Sequence, residues 1–386
     1  MKQINWGIIG SGSIASAFAH SIKSTSNSEL IGLYGRNVDT TNAFAEKFNI
    51  DAHYQLNDLL SSPEIDAVYV ATPHSEHFAH TFQAIKNNKH VLCEKPFTMN
   101  AYESMILIDL AKQSNIFLME GFMYRTHPQT KNILDNLDIF LGDKEKILIE
   151  ASFGFAAKVP KDHRLRNPDL GGGAILDIGC YPLTICKLIA GHLQGLPFAE
   201  PREFSATGEL DETGVDLQSH AHIIFSDSTE AKISCAINEN FSNDLVISNG
   251  EKSIAVNQPW HCGQFQDGRS SILVTTPDLG KQEISFIDEL GLFTRQIEHA
   301  SSCILQQKAE SEFITHTETQ SNMFWLDQWR EKMSIECPKN NLKNSPIFSS
   351  NTSQIRKPIL KKITLPKINK IGSRLALGCD NQISEL

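Results

Sequence analysis

The residues with the clearest chemical implication follow an apolar run at the amino terminus. They form the glycine-rich turn Gly10-Ser11-Gly12-Ser13-Ile14-Ala15. Between a strand and a helix, the first glycine of this pattern makes a tight turn, the second lets the backbone approach a pyrophosphate, and the small last residue lets the helix pack on the strand. The helix start then offers unpaired N–H groups to the anion. We therefore expect a nicotinamide dinucleotide at Gly10, Gly12, Ser13 and Ile14.

Two more polar motifs each follow a short apolar strand. Thr72-Pro73-His74 follows the strand that ends at Ala71, and Glu94-Lys95-Pro96 follows the strand that ends at Cys93. Parallel strands bring their carboxyl ends to one edge of a sheet, where open α/β sheets bind ligands. Taken alone, the second motif is also typical of a surface turn with a solvated lysine.

A third motif lies near the middle of the chain, where three glycines open a helix. Gly171, Gly172 and Gly173 permit close backbone approach, and Asp177 and Tyr181 follow at a spacing of four, which places them on one helical face. A carboxylate and a phenol beside a nicotinamide are suited to proton transfer coupled to hydride transfer. The alternative is an amphipathic helix whose polar face meets solvent.

Together these motifs resemble the Gfo/Idh/MocA family of NAD(P)-dependent oxidoreductases, which act on CH–OH groups. The resemblance includes the segments 119–128 and 170–182 and spans residues 1 to 337. It places the chain with the tyrosine-bearing members, the dimeric dihydrodiol dehydrogenases and glucose-fructose oxidoreductase. The cofactor-binding residues that it implies, beyond the glycine turn, are Thr72, Pro73, His77, Glu94 and Lys95.

The resemblance also implies the catalytic residues. Lys95 is expected near the nicotinamide ribose and the reacting oxygen, and Tyr181 is expected to exchange the proton. A phenol has an unperturbed pKa of about 10, so it needs a nearby cation to do this at neutral pH, and Lys95 is the candidate. Asp177 either orients Lys95 or binds a substrate hydroxyl.

The form of the cofactor depends on the end of the second strand, Leu33-Tyr34-Gly35-Arg36. An acidic residue there would bind the ribose diol of NAD, whereas an arginine suits the 2′-phosphate of NADP. Arg36 occupies the position, and we expect NADP rather than NAD.

Candidate substrate contacts come from two segments that follow the predicted Rossmann domain. Tyr124, Arg125 and Arg164 are the predicted contacts, and His127, His163 and Arg166 are further polar residues in the same segments. His53, His74 and His80 have no evident metal-site partners, so we expect no metal site and no metal dependence.

Composition narrows the class of protein. The 386 residues carry a net charge of −10 with no basic stripe, which argues against nucleic-acid and membrane partners. The eight cysteines include no C-x-x-C pair, which is typical of reduced, buried thiols in a cytoplasmic protein. No apolar span of membrane length is expected.

Hydrophobic periodicity predicts the elements that hold these residues. Residues 1–122 alternate short apolar strands with amphipathic helices, which predicts an NADP-binding Rossmann domain. Residues 123–337 carry longer alternating strands, which predict an α+β substrate and oligomerisation domain with a mainly antiparallel, open sheet. Two closing helices are predicted, 289–307 and 317–333, the latter capped by Thr317 with Gln320.

The last segment, 338–386, differs from the rest. Between Asn341 and Arg374 it holds eight basic residues and no acidic one, which predicts a basic linker or tail. Residues 365–379 weakly resemble the opening strand of an aldo-keto reductase, so the segment is alternatively the start of a truncated second domain.

The sequence therefore predicts an NADP-dependent oxidoreductase that interconverts a secondary alcohol and a carbonyl on a sugar, sugar derivative or trans-dihydrodiol. We expect a homo-oligomer. Two alternatives stay open: a non-catalytic NADP-binding sensor or scaffold, which would not need both Lys95 and Tyr181, and the amino-terminal half of a bifunctional oxidoreductase.

Overall fold

Alternating apolar strands and helices in the first third of the chain build a parallel sheet. In the computed structural model, which describes residues 2–141, 146–262 and 268–335, six parallel strands pair in the order β3-β2-β1-β4-β5-β6. This is the strand order of a dinucleotide-binding fold. Strands are added on one side from β1 to β3 and on the other side from β4 to β6, so the order reverses between β1 and β4. The strands are β1 Ile4–Ile9, β2 Ser28–Tyr34, β3 Asp51–His53, β4 Ala67–Val70, β5 His90–Glu94 and β6 Leu118–Gly121.

The helices of this region cover the sheet, and two of them begin at an asparagine whose side chain accepts from a free N–H group. Asn37 caps α2 by accepting from the Thr40 N–H at 2.9 Å, and Asn100 caps α5 by accepting from the Glu103 N–H at 3.0 Å. The helices are α1 Ser13–Ser21, α2 Val38–Phe48, α3 Leu56–Ser61, α4 His74–Lys86 and α5 Ala101–Ser114. The short elements β3 and α3 are absent from the sequence-based prediction.

A second, larger sheet follows. Within the described residues it has eight strands in the order β14-β13-β12-β11-β7-β10-β9-β8, and its neighbours are antiparallel except for β7 and β10. The strands are β7 Ile147–Gly154, β8 Glu203–Leu210, β9 Asp216–Ser226, β10 Thr229–Ala236, β11 Asp244–Ser248, β12 Ser253–Asn257, β13 Arg269–Thr276 and β14 Gly280–Ile287. The predicted fold class, a Rossmann domain with a mainly antiparallel open sheet, is confirmed.

One face of the second sheet packs on a buried helical segment. It begins as a π-helical turn, Ile175–Gly179, and continues as α7, Cys180–Leu193. The helical stretch Pro168–Leu193 is long and apolar enough to cross a membrane by length and composition, but its apolar window is buried inside the protein. The expectation that no segment reaches membrane length is therefore wrong, because a core helix covered on all sides needs the same composition.

Three further helices complete the described chain: α6 Pro128–Leu141, α8 Leu292–Leu305 and α9 His316–Lys332. Helix α8 returns to the first sheet, where the Trp6 indole N–H donates to Ser301 Oγ at 2.9 Å. The cap of α9 is Thr315, which accepts from the Glu318 N–H at 3.2 Å. The predicted cap at Thr317 is wrong by two residues, because both threonines precede the helical pattern at plausible spacing.

Six cysteines in the described chain are free and buried, as expected for reduced thiols: Cys93, Cys180, Cys186, Cys235, Cys262 and Cys303. The predicted basic tail and the aldo-keto reductase resemblance lie outside the described residues.

Candidate active site

The glycine turn joins β1 to α1 and leaves the helix start free for an anion. Gly10 has φ +112°, and a Cβ there would lie 2.6 Å from the Ala71 carbonyl oxygen, so the turn passes too close to β4 for any side chain. A Cβ on Gly12 would meet nothing within 4 Å. Gly12 is also the N-cap of α1, and it supplies no side-chain hydrogen bond to the free N–H groups around Ser13 and Ile14. These features fit a pyrophosphate.

The end of β2 carries the residue predicted to select the cofactor. Arg36 follows β2 and is exposed. Burial and, to a smaller extent, the charge of Arg36 together lower the pKa of the nearby His80 to about 4. Arg36 thus lies near His80, on the same edge of the sheet as Thr72, whose Oγ1 lies 3.2 Å from His80 Nδ1.

His77, one of the predicted cofactor residues, connects the ends of β4 and β5. The ring nitrogens of His77 lie 2.9 Å from the carbonyl oxygens of Thr72 and Pro96. Burial lowers the pKa of His77 to about 4, so the ring is neutral at physiological pH. His77 thus positions the two strand ends, and Pro73 directly precedes α4 between them.

Glu94 is a buried residue that supports its neighbour. Its carboxylate accepts from the hydroxyl of Tyr69 and, at 3.2 Å, from the backbone N–H of Lys95. Burial raises the pKa of Glu94, and the Lys95 charge counteracts part of that rise. This contact with β4 fixes the backbone from which the Lys95 side chain extends.

Asp177 is the centre of the charged cluster. The Lys95 ammonium donates to the Asp177 carbonyl oxygen at 2.7 Å and lies 3.7 Å from Asp177 Oδ1. Arg164 donates to the same Oδ1 at 3.0 Å. Burial alone would raise the pKa of Asp177, but the charges of Lys95 and Arg164 outweigh it and lower the pKa to about 2. The cluster therefore holds one carboxylate between two cations.

His74 is a member of this cluster that the motifs of the sequence do not predict. Its Nδ1 lies 2.9 Å from the Gly171 carbonyl oxygen, and its Nε2 lies 3.8 Å from Asp177 Oδ1. Burial lowers the pKa of His74 to about 3, so the ring is neutral and Nδ1 donates to Gly171. A Cβ on Gly171 would lie 2.8 Å from His74 Cβ, which explains a glycine there. The position of His74 directly after Thr72-Pro73, at the end of a strand, is the sequence feature that could have predicted its place in the cluster.

Tyr181 lies under Lys95 in an aromatic cluster. The Lys95 ammonium is 5.4 Å from the centre of the Tyr181 ring, and the phenol hydroxyl donates to Met123 Sδ at 3.5 Å. Burial, together with the Glu94 carboxylate, raises the pKa of Tyr181 well above its usual range. The expectation that Lys95 lowers this pKa is not met in this geometry. The rings around Tyr181 are those of Phe122, Tyr124, Phe153 and Trp260.

Two predicted substrate contacts have structural partners instead. The Tyr124 hydroxyl pairs with Thr184 Oγ1 at 2.8 Å. Arg125 is buried, pairs with Glu318 and donates to the Phe313 carbonyl oxygen. The structure brings neither polar group to Asp177, whereas it does bring Arg164 there with its side chain 48% exposed.

Other polar residues of these segments are held elsewhere. His127 lies 3.1 Å from Asp288, and Arg166 donates to Asp211 at 2.8 and 2.9 Å. The reactive groups that converge are thus Lys95, Asp177, Tyr181, Arg164 and His74. They lie at the carboxyl ends of β4 and β5, on the sheet whose β1 end carries the glycine turn.

A glycine turn on a parallel sheet of this strand order, with a lysine at a neighbouring strand end, defines a dinucleotide-binding oxidoreductase of the Rossmann class. Residues 4–122 match the Gfo/Idh/MocA family, described as an oxidoreductase family with an NAD-binding Rossmann fold. The predicted resemblance to this family and the expected enzyme class, an NAD(P)-dependent oxidoreductase, are confirmed.

Curated relatives extend the similarity beyond this domain. Trans-1,2-dihydrobenzene-1,2-diol dehydrogenase of Xenopus tropicalis is 27% identical over 338 residues, which cover 86% of this chain and 99% of the relative. The D-xylose 1-dehydrogenase (NADP(+)) of Hypocrea jecorina is 31% identical over 239 residues, 55% of this chain and 60% of the relative.

Solved structures share the fold. A 3-ketoreductase from Actinomadura kijaniata, in complex with TDP-benzene and NADP, has a TM-score of 0.75 at 22% identity and covers 86% of this chain and 98% of its own. An aldose-aldose oxidoreductase from Caulobacter crescentus, complexed with glycerol, has a TM-score of 0.74 at 21% identity over the same shares.

Proposed function

We propose that this protein is an NADP-dependent oxidoreductase that interconverts a secondary alcohol and a carbonyl on a sugar, a sugar derivative or a trans-dihydrodiol. The observation that carries the proposal is the meeting of Lys95 with Asp177 at 2.7 Å. It joins the cofactor-binding sheet to the helix that carries Tyr181. The dihydrodiol and xylose dehydrogenases among the relatives support this reaction type.

The glycine turn and Arg36 would hold the cofactor. The free N–H groups at the start of α1 would bind the pyrophosphate, and the Arg36 guanidinium would pair with the 2′-phosphate. When bound, the nicotinamide supplies or accepts the hydride. Support for NADP comes from the name of the Hypocrea relative and from the NADP in the Actinomadura structure.

Lys95, Tyr181 and Asp177 would handle the charge and the proton. A carbonyl that gains a hydride develops negative charge on its oxygen, and the excess of positive charge from Lys95 and Arg164 over Asp177 favours that state. Because the pKa of Tyr181 is high, the phenol keeps its proton and is a donor for the reducing direction.

Asp177 would position Lys95 and Arg164. Its carboxylate stays ionised because its pKa is about 2, so it neutralises one of the two cations at all working pH values. The exposed side of Arg164 is the part of this cluster that is free to contact a hydroxyl or carbonyl oxygen of the substrate.

The decisive experiment is a substrate screen. Purified protein is incubated with NADP⁺ and a panel of aldoses, polyols and trans-dihydrodiols, and NADPH formation is followed at its absorbance. The reverse reaction is run with the matching carbonyls. NADPH formation that is lost in Lys95→Ala supports the proposal. Tight NADPH binding with no turnover on any panel member would favour the sensor alternative.

We further propose that the protein forms a homo-oligomer through the open face of the second sheet. That face carries exposed polar side chains, among them Glu150, His222 and Lys232. Sedimentation equilibrium of the purified chain measures the state directly, and a monomer mass at micromolar concentration would contradict this proposal.

A further inference from the structure

A cluster of side chains of metal-ligating type lies at α8, apart from Lys95 and Asp177. His299 and Cys303 are one helical turn apart on α8, and Glu312 follows the helix. One ligand atom from each, His299 Nε2 or Nδ1, Cys303 Sγ and a Glu312 oxygen, lies within 4.8 Å of the others. We propose that these three residues bind a divalent transition-metal ion of the Zn²⁺ class.

The spacing of the two helical ligands fits such an ion. Cys303 Sγ lies 3.5 Å from His299 Nε2. Typical zinc bonds are about 2.3 Å to sulfur and about 2.0–2.1 Å to nitrogen, and a tetrahedral angle between them places the two atoms about 3.5 Å apart. The i and i+4 positions of a helix point in one direction, so the pair needs no rearrangement of the backbone.

The chain beyond α8 turns back and brings the third ligand. The Lys308 N–H donates to the Cys303 carbonyl oxygen at 2.9 Å, which closes the turn after the helix. Glu312 then lies beside His299, with its side chain 59% exposed. A cation can therefore enter from solvent on the Glu312 side and reach the buried sulfur.

The groups already in contact with the cluster determine what binding must displace. Ser311 Oγ lies 2.7 Å from His299 Nε2, and Lys308 donates to Glu312 Oε2 at 3.0 Å. A bound ion would replace the Ser311 contact and share the Glu312 carboxylate with Lys308. Burial raises the pKa of Cys303 to about 11, so binding at neutral pH releases one thiol proton to solvent while the sulfur–metal bond forms.

The ion would join the end of α8 to residue 312. Helix α8 contacts the first sheet through Ser301 and Trp6, so the site lies on the outer layer of the cofactor domain and not among the reacting groups. We infer a structural role for the site. Metal binding should raise the thermal unfolding temperature without being needed for NADPH binding.

The test uses the full-length protein, freed of metal with a chelator and titrated with Co²⁺ alone. We expect one equivalent to bind with sulfur-to-cobalt charge-transfer absorption, and Zn²⁺ to displace it. Cys303→Ser should abolish the charge-transfer band, and His299→Ala should weaken binding by about tenfold or more. Cys186→Ser, a buried thiol of α7 outside the cluster, is the matched control and should bind Co²⁺ normally.

If Cys303→Ser does not fold, Glu312→Gln provides the test, because Glu312 is exposed and its loss does not open the core. It should weaken Co²⁺ binding by about tenfold or more. The proposal is overturned if the wild-type protein shows no charge-transfer band, if the band survives in Cys303→Ser, or if Glu312→Gln binds Co²⁺ as the wild type does.

Discussion

The individual side chains at Asp177 show how a buried carboxylate stays charged. Desolvation opposes the charge, yet the contacts from Lys95 and Arg164 lower the pKa to about 2. Tyr181, only four residues further on, has no such compensation and its pKa rises. The pKa values of these two neighbouring acids thus differ widely, so that Asp177 is an anion and Tyr181 is a protonated phenol. Such a difference is typical of sites that transfer protons.

The tyrosine assignment predicts a specific kinetic defect. Tyr181→Phe should leave NADPH affinity nearly unchanged and lower turnover by about 10²–10⁴, the usual size of a lost general acid or base. Lys95→Ala should lower turnover at least as much, and the double variant should be little worse than either, because the residues act as one unit. Stopped-flow measurement of hydride transfer in the three variants tests this. Near-normal hydride transfer in Tyr181→Phe would show that another group donates the proton.

The low pKa of Asp177 predicts a pH dependence of stability. Since the folded pKa of about 2 lies below the usual value of about 4, the ion pairs stabilise the fold above pH 4 and this stability is lost as the pH falls toward 2. A shift of this size corresponds to about 2 kcal/mol. Asp177→Asn should therefore be less stable than the wild type at pH 7, by about that amount, and the difference should shrink near pH 3. Urea unfolding at both pH values measures it, and a difference independent of pH would contradict the ion-pair explanation.

Arg36 should determine the choice between NADPH and NADH. One charge-assisted contact with the 2′-phosphate contributes about 1.5–3 kcal/mol, which gives about tenfold or more tighter binding of NADPH. Arg36→Ala should remove most of that preference, whereas Arg202→Ala, an exposed arginine of the second domain, should keep it. Fluorescence titration with both cofactors decides the matter. Equal affinities in the wild type would remove Arg36 from this role.

At the scale of elements, a helix or strand can be predicted from sequence where its local pattern of apolar residues is long enough and buried on one face. Elements without such a pattern cannot. Helix α5, Ala101–Ser114, carries apolar residues at helical spacing, so its local pattern predicts it. Strand β3 has three residues, too few for a pattern of alternation to appear. Strand β8 is largely exposed, so it lacks the buried alternation that marks a strand in the sequence.

The errors at the site have the same origin. The motif around Arg125 predicts a cation available to substrate. Its partner Glu318 lies 193 residues further along the chain, so local sequence does not predict their ion pair. Likewise, the sequence predicts an ordinary helix around Asp177, whereas Ile175–Gly179 forms a π-helical turn. Such turns are frequent at functional sites. Motif spacing could predict Lys95 and Asp177 as a pair, whereas the direction of the Tyr181 hydroxyl toward Met123 depends on the surrounding rings.

The cap of α9 provides an element-scale prediction with a matched control. Thr315→Ala removes the hydrogen bond to the Glu318 N–H and should lower the free energy of unfolding by about 1 kcal/mol. Thr317→Ala, at the cap predicted from sequence, changes an exposed side chain and should stay within about 0.5 kcal/mol of the wild type. Thermal or urea unfolding of the two variants compares them. A larger loss in Thr317→Ala would return the cap to the position that the sequence favoured.

The whole molecule divides by charge as well as by fold. The compact unit that holds the described elements ends at Lys339. The eight basic residues between Asn341 and Arg374 contribute +8 to the net charge of −10. The rest of the chain therefore carries −18. The basic tail that the sequence predicts for that segment lies outside the described residues.

Removal of the segment after Lys339 should therefore leave folding and NADPH binding intact. The shortened chain should unfold at the temperature of the full chain and gain the same thermal stabilisation from saturating NADPH, because the glycine turn, Arg36 and Lys95 all precede the cut. Limited proteolysis of the full chain should cleave after residue 339 first. Differential scanning calorimetry of both chains, with and without NADPH, is the measurement. If the shortened chain were insoluble or failed to gain stability with NADPH, the segment would have to complete the fold, and the division of the molecule by charge would not mark a domain boundary.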